Sequence, residues 1–327
     1  MLNHTSPAAL LLGAFAATNA VGQTTVTEDI TIAPGGTLIV SDNTTYMGTV
    51  TLGAGSQVVV DTGFEMAFGD GASLVVEGTE AEPVMFFPIN GTWEGLKFEP
   101  GSTGDMDFAA IMDFRIVGVE ADDADVSLTG VEIFDSTSAP TPASATRWGV
   151  IGRLGGTMSI DRSLIGPITG RDGGSGGNGS TGNPGSGGGS GGSGRSVRGV
   201  EVIDLDSFSL TSTRRGGSEA GRGGNGGRGG NGSTGSSGSD GDTNDDGSNG
   251  GTGRTGGRGG TGGAGGSTIA VVVDGVNDIT IAQNIFDRLS GGTGGTGCRG
   301  GTFGLGGAGG DGGDGVLIGD GCDAGNV

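Results

Sequence analysis

The chain has 327 residues, and 81 of them are glycine, roughly a quarter where about 7% is usual. It carries 37 acidic against 16 basic side chains, a formal charge of -21 with a pI near 4.1, which repels phosphates and so excludes nucleic acid and anionic membrane as ready partners. His4 is the only histidine and Lys97 the only lysine, which sets aside histidine zinc sites, Ser-His-Asp triads and Schiff-base lysine chemistry.

Residues Ala8 to Ala17 form an uncharged Ala- and Leu-rich run, followed by the small residues Thr18-Asn19-Ala20. That order predicts a secretory signal over 1–20, cleaved after Ala20 or Gly22, and a mature chain outside the cytoplasm. The run is too short to span a bilayer, and nothing later approaches the ~20 apolar residues a membrane helix requires. In an oxidising compartment, Cys298 and Cys322 read as a disulfide closing a loop of about 25 residues, with two separate thiols as the alternative.

From Thr25 to Phe134 the apolar residues come in short alternating bursts rich in Val, Ile and Thr, as in Thr37-Leu38-Ile39-Val40, Gln57-Val58-Val59-Val60 and Ser73-Leu74-Val75-Val76. Breaks such as Ala54-Gly55-Ser56 and Gly69-Asp70-Gly71 recur between them, and the pattern predicts strands. The second half adds repetition. Val200, Val202, Leu205, Phe208 and Leu210 align with Val271, Val273, Val276, Ile279 and Ile281 without a gap. Trp148, Val150, Leu154, Met158 and Ile160 fit the same template with one extra residue, and Val316 with Ile318 begins a fourth copy that the chain end cuts short. A unit of this kind cannot bury its apolar face alone and must stack on copies of itself, which is the logic of a parallel β-solenoid.

The stretch from Gly69 to Phe87, followed by Gly91-Thr92-Trp93-Glu94-Gly95-Leu96-Lys97-Phe98-Glu99, resembles the N-terminal coils of secreted right-handed parallel β-helices of pectin-lyase type. Ile279-Thr280-Ile281 with Asn284-Ile285-Phe286 is similar to their turn with stacked asparagine. The resemblance implies an all-β solenoid, with coils over 21–170 and further coils interrupted by glycine-rich insertions at one corner over 171–327. It implies no single activity, because unrelated functions share that fold.

The insertions are the tracts 171–194, 216–266 and 291–313, built largely of Gly-Gly-x steps such as Gly223-Gly224-Asn225-Gly226-Gly227-Arg228. With 9 prolines in the whole chain, a collagen triple helix is excluded. Two readings stay open. The tracts can be disordered loops, since ordering them costs about 1–2 kcal/mol per residue in backbone entropy. Alternatively, period three suits an extended helix of three residues per turn whose glycine faces let neighbouring legs pack. Such a bundle resembles those of glycine-rich antifreeze proteins and of some phage tail-fibre adhesins.

Candidate sites are few. Asp240, Asp242, Asn244 and Asp246 place oxygens at alternate positions, as Ca2+ loops do, although the EF-hand glycine and glutamate are missing and a charged loop tip explains them as well. Residues Gly309 to Leu317 match one calcium nonapeptide where a β-roll needs several. Asp204 with Asp206, or the cluster Glu120, Asp122, Asp123 and Asp125, could serve acid and base roles on a polysaccharide, with Arg198, Arg214 or Arg215 as the nearest bases. Solvated acids in β-helix turns account for them equally. Trp93 and Trp148 could stack on sugars, but both fall on predicted strands and read first as core. The expectation is a secreted, non-catalytic β-helix protein in contact with extracellular polysaccharide or matrix. A polysaccharide lyase or hydrolase and an ice-binding protein are the alternatives.

Overall fold

The structure, a computed structural model, describes residues 23–135, 146–182, 184–234 and 252–302. The signal at 1–20, the tip bearing Asp240, Asp242, Asn244 and Asp246, the nonapeptide, Cys322 and the fourth repeat at Val316 lie outside the described residues. The chain divides into two units. The first takes in the residues up to Thr169 together with Val197–Glu219 and Thr268–Ser290; the second takes in Gly170–Ser196, Ala220–Ser267 and the residues from Gly291 on.

The first unit is a right-handed parallel β-helix. Three sheets of eight strands run along it, every pairing is parallel, and no helix occurs among the described residues. The first sheet runs from Gln23–Val26 to Thr268–Asp274, the second from Ile30–Ile32 to Asp278–Ala282, and the third from Thr37–Val40 to Ile285–Asp287. Each coil adds one strand to each sheet, so every backbone ladder joins a residue to its equivalent one coil away. The aligned segments pair as the sequence predicts: Val200 with Val271, Val202 with Val273, Phe208 with Ile279 and Leu210 with Ile281.

Alternation along each strand turns one row of side chains inward, and stacking of coils converts the rows into apolar columns. In the second sheet one column is Val50, Leu74, Gly104, Val126, Met158, Phe208. Gly104 leaves a gap there that the Phe98 ring fills, because a Cβ at 104 would come within 2.7 Å of that ring. Tyr46, Phe68 and Phe98 stack across the first sheet with centroids 5.5 and 5.2 Å apart, close to the ~4.8 Å strand spacing that carries them. Trp93 is fully buried, as expected, with Nε1 donating to the Met112 carbonyl at 2.7 Å.

The coil before the aligned pair corrects the sequence template. Trp148 pairs with Arg198, Val150 with Val200 and Gly152 with Val202, so no extra residue is present and Trp148 does not occupy the inward position given to it. The inward residue is Gly152, whose missing side chain leaves room for Met158 and Leu205. Leu154, placed inward by the template, is 68% exposed at a corner with φ of 66°.

The glycine tracts leave the coil length unchanged. Leu96 pairs with Val119, a step of 23 residues. Val150 pairs with Val200 at a step of 50, and removing the 27 residues 170–196 leaves 23; Val200 pairs with Val271 at a step of 71, and removing the 48 residues 220–267 again leaves 23. One corner carries a side-chain ladder in the place of an asparagine stack. Ser163 Oγ accepts from the Val131 N–H, Thr213 Oγ1 from Ser163 N–H, and Asn284 Oδ1 from Thr213 N–H.

Candidate functional site

The second unit is built from five extended legs: a (170–182), b (184–196), c (220–233), d (252–267) and e (291–302). They are bonded backbone to backbone at every third residue. Gly173, Gly176 and Gly179 of leg a donate to the carbonyls of Arg222, Asn225 and Arg228 in leg c, each at 2.7 Å. Leg c in turn donates from Gly224 and Gly227 to Gly192 and Gly189 of leg b, and from Gly223 and Gly226 to Thr293 and Thr296 of leg e. Leg d donates from Gly257, Gly260 and Gly263 to Gly230, Gly227 and Gly224. Rising residue numbers in both partners make a, c and e parallel to one another, while b and d run the opposite way. This period is that of an extended helix with three residues per turn, and the bundle is of polyglycine type.

Steric room explains the Gly-Gly-x step. In the central leg, a Cβ at Gly227 would collide with the carbonyl oxygen of Gly177 in leg a, and one at Gly226 with that of Gly260 in leg d. Only the third position faces outward. On the outer leg a, by contrast, Gly174 and Gly177 would meet nothing within 4 Å. One departure stands in leg e, where Cys298 occupies the row of Gly292, Gly295 and Gly301, each of which would strike a carbonyl of leg c if it carried a Cβ. The bonds beside it, Cys298 N–H to Gly260 and Gly229 N–H to Arg299, are 3.0 and 3.1 Å.

The outward third positions form two faces. Legs a, c and e present Asp172, Asn178, Arg222, Asn225, Arg228, Asn231, Thr296, Arg299 and Thr302, all exposed. Amide side chains knit this face together: Asn178 Oδ1 accepts from Arg228 N–H at 2.9 Å, and Asn225 Oδ1 from both the N–H and the hydroxyl of Thr296. Legs b and d present smaller side chains, with the Thr261 hydroxyl 3.0 Å from that of Ser190 and the Ser196 hydroxyl 3.0 Å from that of Ser267. Thr252, Thr255 and Thr261 share one outward row of leg d, but Arg258 stands between them and breaks the flat array that ice contact requires.

In the first unit, ionisable side chains gather on the outward face of the first sheet. Ala67, Lys97, Glu120, Ile151 and Glu201 form one row across the coils. Lys97 Nζ lies 3.4 Å from Glu99, Arg153 lies 3.1 Å from Glu120, and Arg115 lies 2.7 Å from Glu94. Burial pushes the Glu65 carboxyl up, with Lys97 opposing and Glu120, Glu94 and Glu99 adding to the rise. Burial likewise raises Glu120, reinforced by Asp122 and opposed by Arg153 and Lys97. Burial pulls Lys97 down, yet the surrounding Glu65, Glu99 and Glu120 outweigh it and hold the ammonium charged. The two ends of the Lys97–Glu65 interaction therefore shift the same way, because several carboxylates share one ammonium.

The acids grouped in the sequence are dispersed by the fold. Glu120 and Asp122 lie on the first sheet, Asp125 on the second, and Asp123 at the corner between them with φ of 47°. Asp204 and Asp206 occupy the equivalent corner, exposed, with Asp204 N–H bonded to the Asp274 carbonyl. Of the basic candidates, Arg198 binds Glu201, which also accepts from Trp148 Nε1, and Arg214 binds Asp287 at 2.6 Å. Arg215 is buried in the third-sheet column after Ile133 and Ile165, where Gly199 makes room for it, and burial pulls its pKa down to about 10. Cys298 is half-buried. Lys97 and Glu65 escaped the sequence reading because their neighbours lie a full coil away. No protein-family model, curated protein or solved structure matches the chain.

Proposed function

We propose that this is a secreted, non-catalytic structural or adhesive β-helix protein of pectin-lyase-like type that contacts carbohydrate or cell-surface matrix through its polyglycine bundle. The observation that supports this reading is the geometry of the third positions. Backbone bonding fixes every leg, so the exposed Asn, Thr, Ser and Arg side chains stand in rows at a repeat of about 9 Å along each leg, three residues at ~3.1 Å. Such rows match a repeating polymer and need no cavity. Retention of the full chain on insoluble pectin, cellulose and chitin tests it: the double substitution Asn225→Ala with Asn231→Ala should weaken retention several-fold, and a chain retained by none of them sinks the reading.

One observation favours a second reading, cleavage of a polysaccharide on the first-sheet face. Lys97 stands among Glu65, Glu99 and Glu120, and two of these carboxyls are raised toward the range where an acid can hold its proton near neutrality. Release of reducing or unsaturated ends from pectin, lost in Lys97→Met and Glu120→Gln, would establish it. Calcium at Asp240, Asp242, Asn244 and Asp246 belongs with the first reading, as a tie for the bundle tip.

A further inference from the structure

The charge of this protein is divided between its parts. The five described legs contain seven arginines (Arg171, Arg195, Arg222, Arg228, Arg254, Arg258 and Arg299) and a single carboxylate, Asp172, in a chain whose net charge is -21. On the a–c–e face Arg222, Arg228 and Arg299 are exposed, and no ion pair within the described residues engages Arg228 or Arg299. The outward face of the second sheet has the opposite character. Its rows read Ser73, Thr103, Asp125; Val75, Asp105, Ser127, Ser159; and Glu77, Asp107, Thr129, Asp161. Glu77, Asp105, Asp107 and Asp125 are exposed there, and the one cation beside them is Arg162, which pairs with Asp161 at 3.0 Å.

We infer that the a–c–e face of one copy docks on the second-sheet face of another, so that the partner of the basic face is a second copy of this chain. Both surfaces are planar ladders of backbone with short polar side chains between the charges, and both persist over comparable lengths. Seven inter-strand steps of ~4.8 Å give the sheet about 34 Å, and thirteen residues at ~3.1 Å give a leg about 40 Å. Exposed carboxylates at 105 and 107 stand on one strand, where planar guanidinium groups can each take a carboxylate in two parallel bonds. The legs hold no aromatic side chain, which removes the stacking on which single-stranded nucleic acid binding depends. The two faces are different surfaces, so one contact leaves a free face of each kind at the two ends. Association of that sort continues into rings or open filaments. The sheet face offers roughly 600 Å2, below the ~800 Å2 per partner of a tight complex, so each contact is weak and salt-sensitive. This assembly goes beyond carbohydrate contact and stands or falls without it.

Sedimentation velocity of the full chain over a range of protein concentrations, in ~0.05 M and ~1 M salt, reads the contact, since the Debye length falls to about 3 Å at the higher salt. Concentration-dependent oligomers at low salt, with half-association shifted at least about tenfold by high salt, are expected. The triple substitution Arg222→Gln, Arg228→Gln, Arg299→Gln and the double substitution Asp105→Asn, Asp107→Asn should each sediment as monomers. Mixed together they should form a one-to-one dimer and stop, because each retains one of the two faces. Replacing the same arginines by lysine should restore longer assemblies, which separates loss of charge from loss of folding. A wild-type chain that stays monomeric at low salt overturns the inference, as does self-association unchanged in both variants. Arginine-dependent capture of soluble polygalacturonate by a chain that remains monomeric would also overturn it, and would assign the face to an acidic glycan.

Discussion

The β-helix and the bundle satisfy the same backbone in opposite ways. Coils of the first unit are held at strand spacing by ladders, and their cohesion comes from apolar columns in which Leu74, Phe86, Met106 and Ile133 are fully buried. The five legs of the second unit contain no apolar side chain larger than Pro184 and Cys298. There, close approach replaces burial: glycine removes the side chain so that N–H and carbonyl meet at 2.7–3.1 Å on several sides of one leg. The lesson concerns failure. A β-helix fails when a side chain is removed, and a polyglycine bundle fails when one is added.

Mutation can break that contrast or sharpen it. The largest effect should come from Phe68→Ala, which empties the aromatic stack between Tyr46 and Phe98 and should cost about 3–5 kcal/mol by urea unfolding. Next stands Gly227→Ala, a single added methyl at the centre of the bundle, expected to cost about 1–3 kcal/mol and to strip amide-exchange protection from legs b, c and d. The control is Gly174→Ala on the outer leg, where the space is open; it should be neutral or stabilising by up to about 1 kcal/mol. Equal loss at 174 and 227 would mean that packing does not explain the glycines.

Smaller effects are electrostatic and local. The folded-state pKa of Glu65 lies above its ordinary 4.5, so its ionisation opposes folding: the opposition is absent below pH 4.5 and complete above the folded-state value. Glu65→Gln should therefore raise Tm at pH 7 and leave it unchanged or lower at pH 4. The reverse order would show that Lys97 dominates burial at this site. The smallest expected change is that of Cys298→Gly, measured with reductant present, which should stabilise leg e by less than about 1 kcal/mol. Without reductant, a loss of roughly 3 kcal/mol in the same variant would instead report a bridge to Cys322.

Much of the β-helix was legible because its signal is local. Alternation in Gln57-Val58-Val59-Val60 and the gapless match of 200–210 with 271–281 both survive in the observed register. The misreadings share one cause. Inward positions at Gly104 and Gly152 carry no apolar side chain, and the template, searching for one, took Trp148 and Leu154 instead. Space at those glycines is filled from other strands, by Phe98 and by Leu205, which no window on the sequence contains. The candidate site was harder still. Glu120, Asp122, Asp123 and Asp125 look like one cluster in the chain, yet alternation and the corner send them to two sheets.

By itself the sequence determined the period of each part, because strand alternation and the Gly-Gly-x step follow from sterics within a few residues. It determined the charge as well. Which residues become neighbours was decided only by stacking: a parallel coil joins residues 23, 50 or 71 positions apart, and the ladder bonds and apolar columns that select those steps exist only once the coils are formed. The same holds for the legs, whose bonds join residues from separate tracts. Lys97 beside Glu120, and arginines gathered on one face of a strongly acidic chain, are consequences of that stacking.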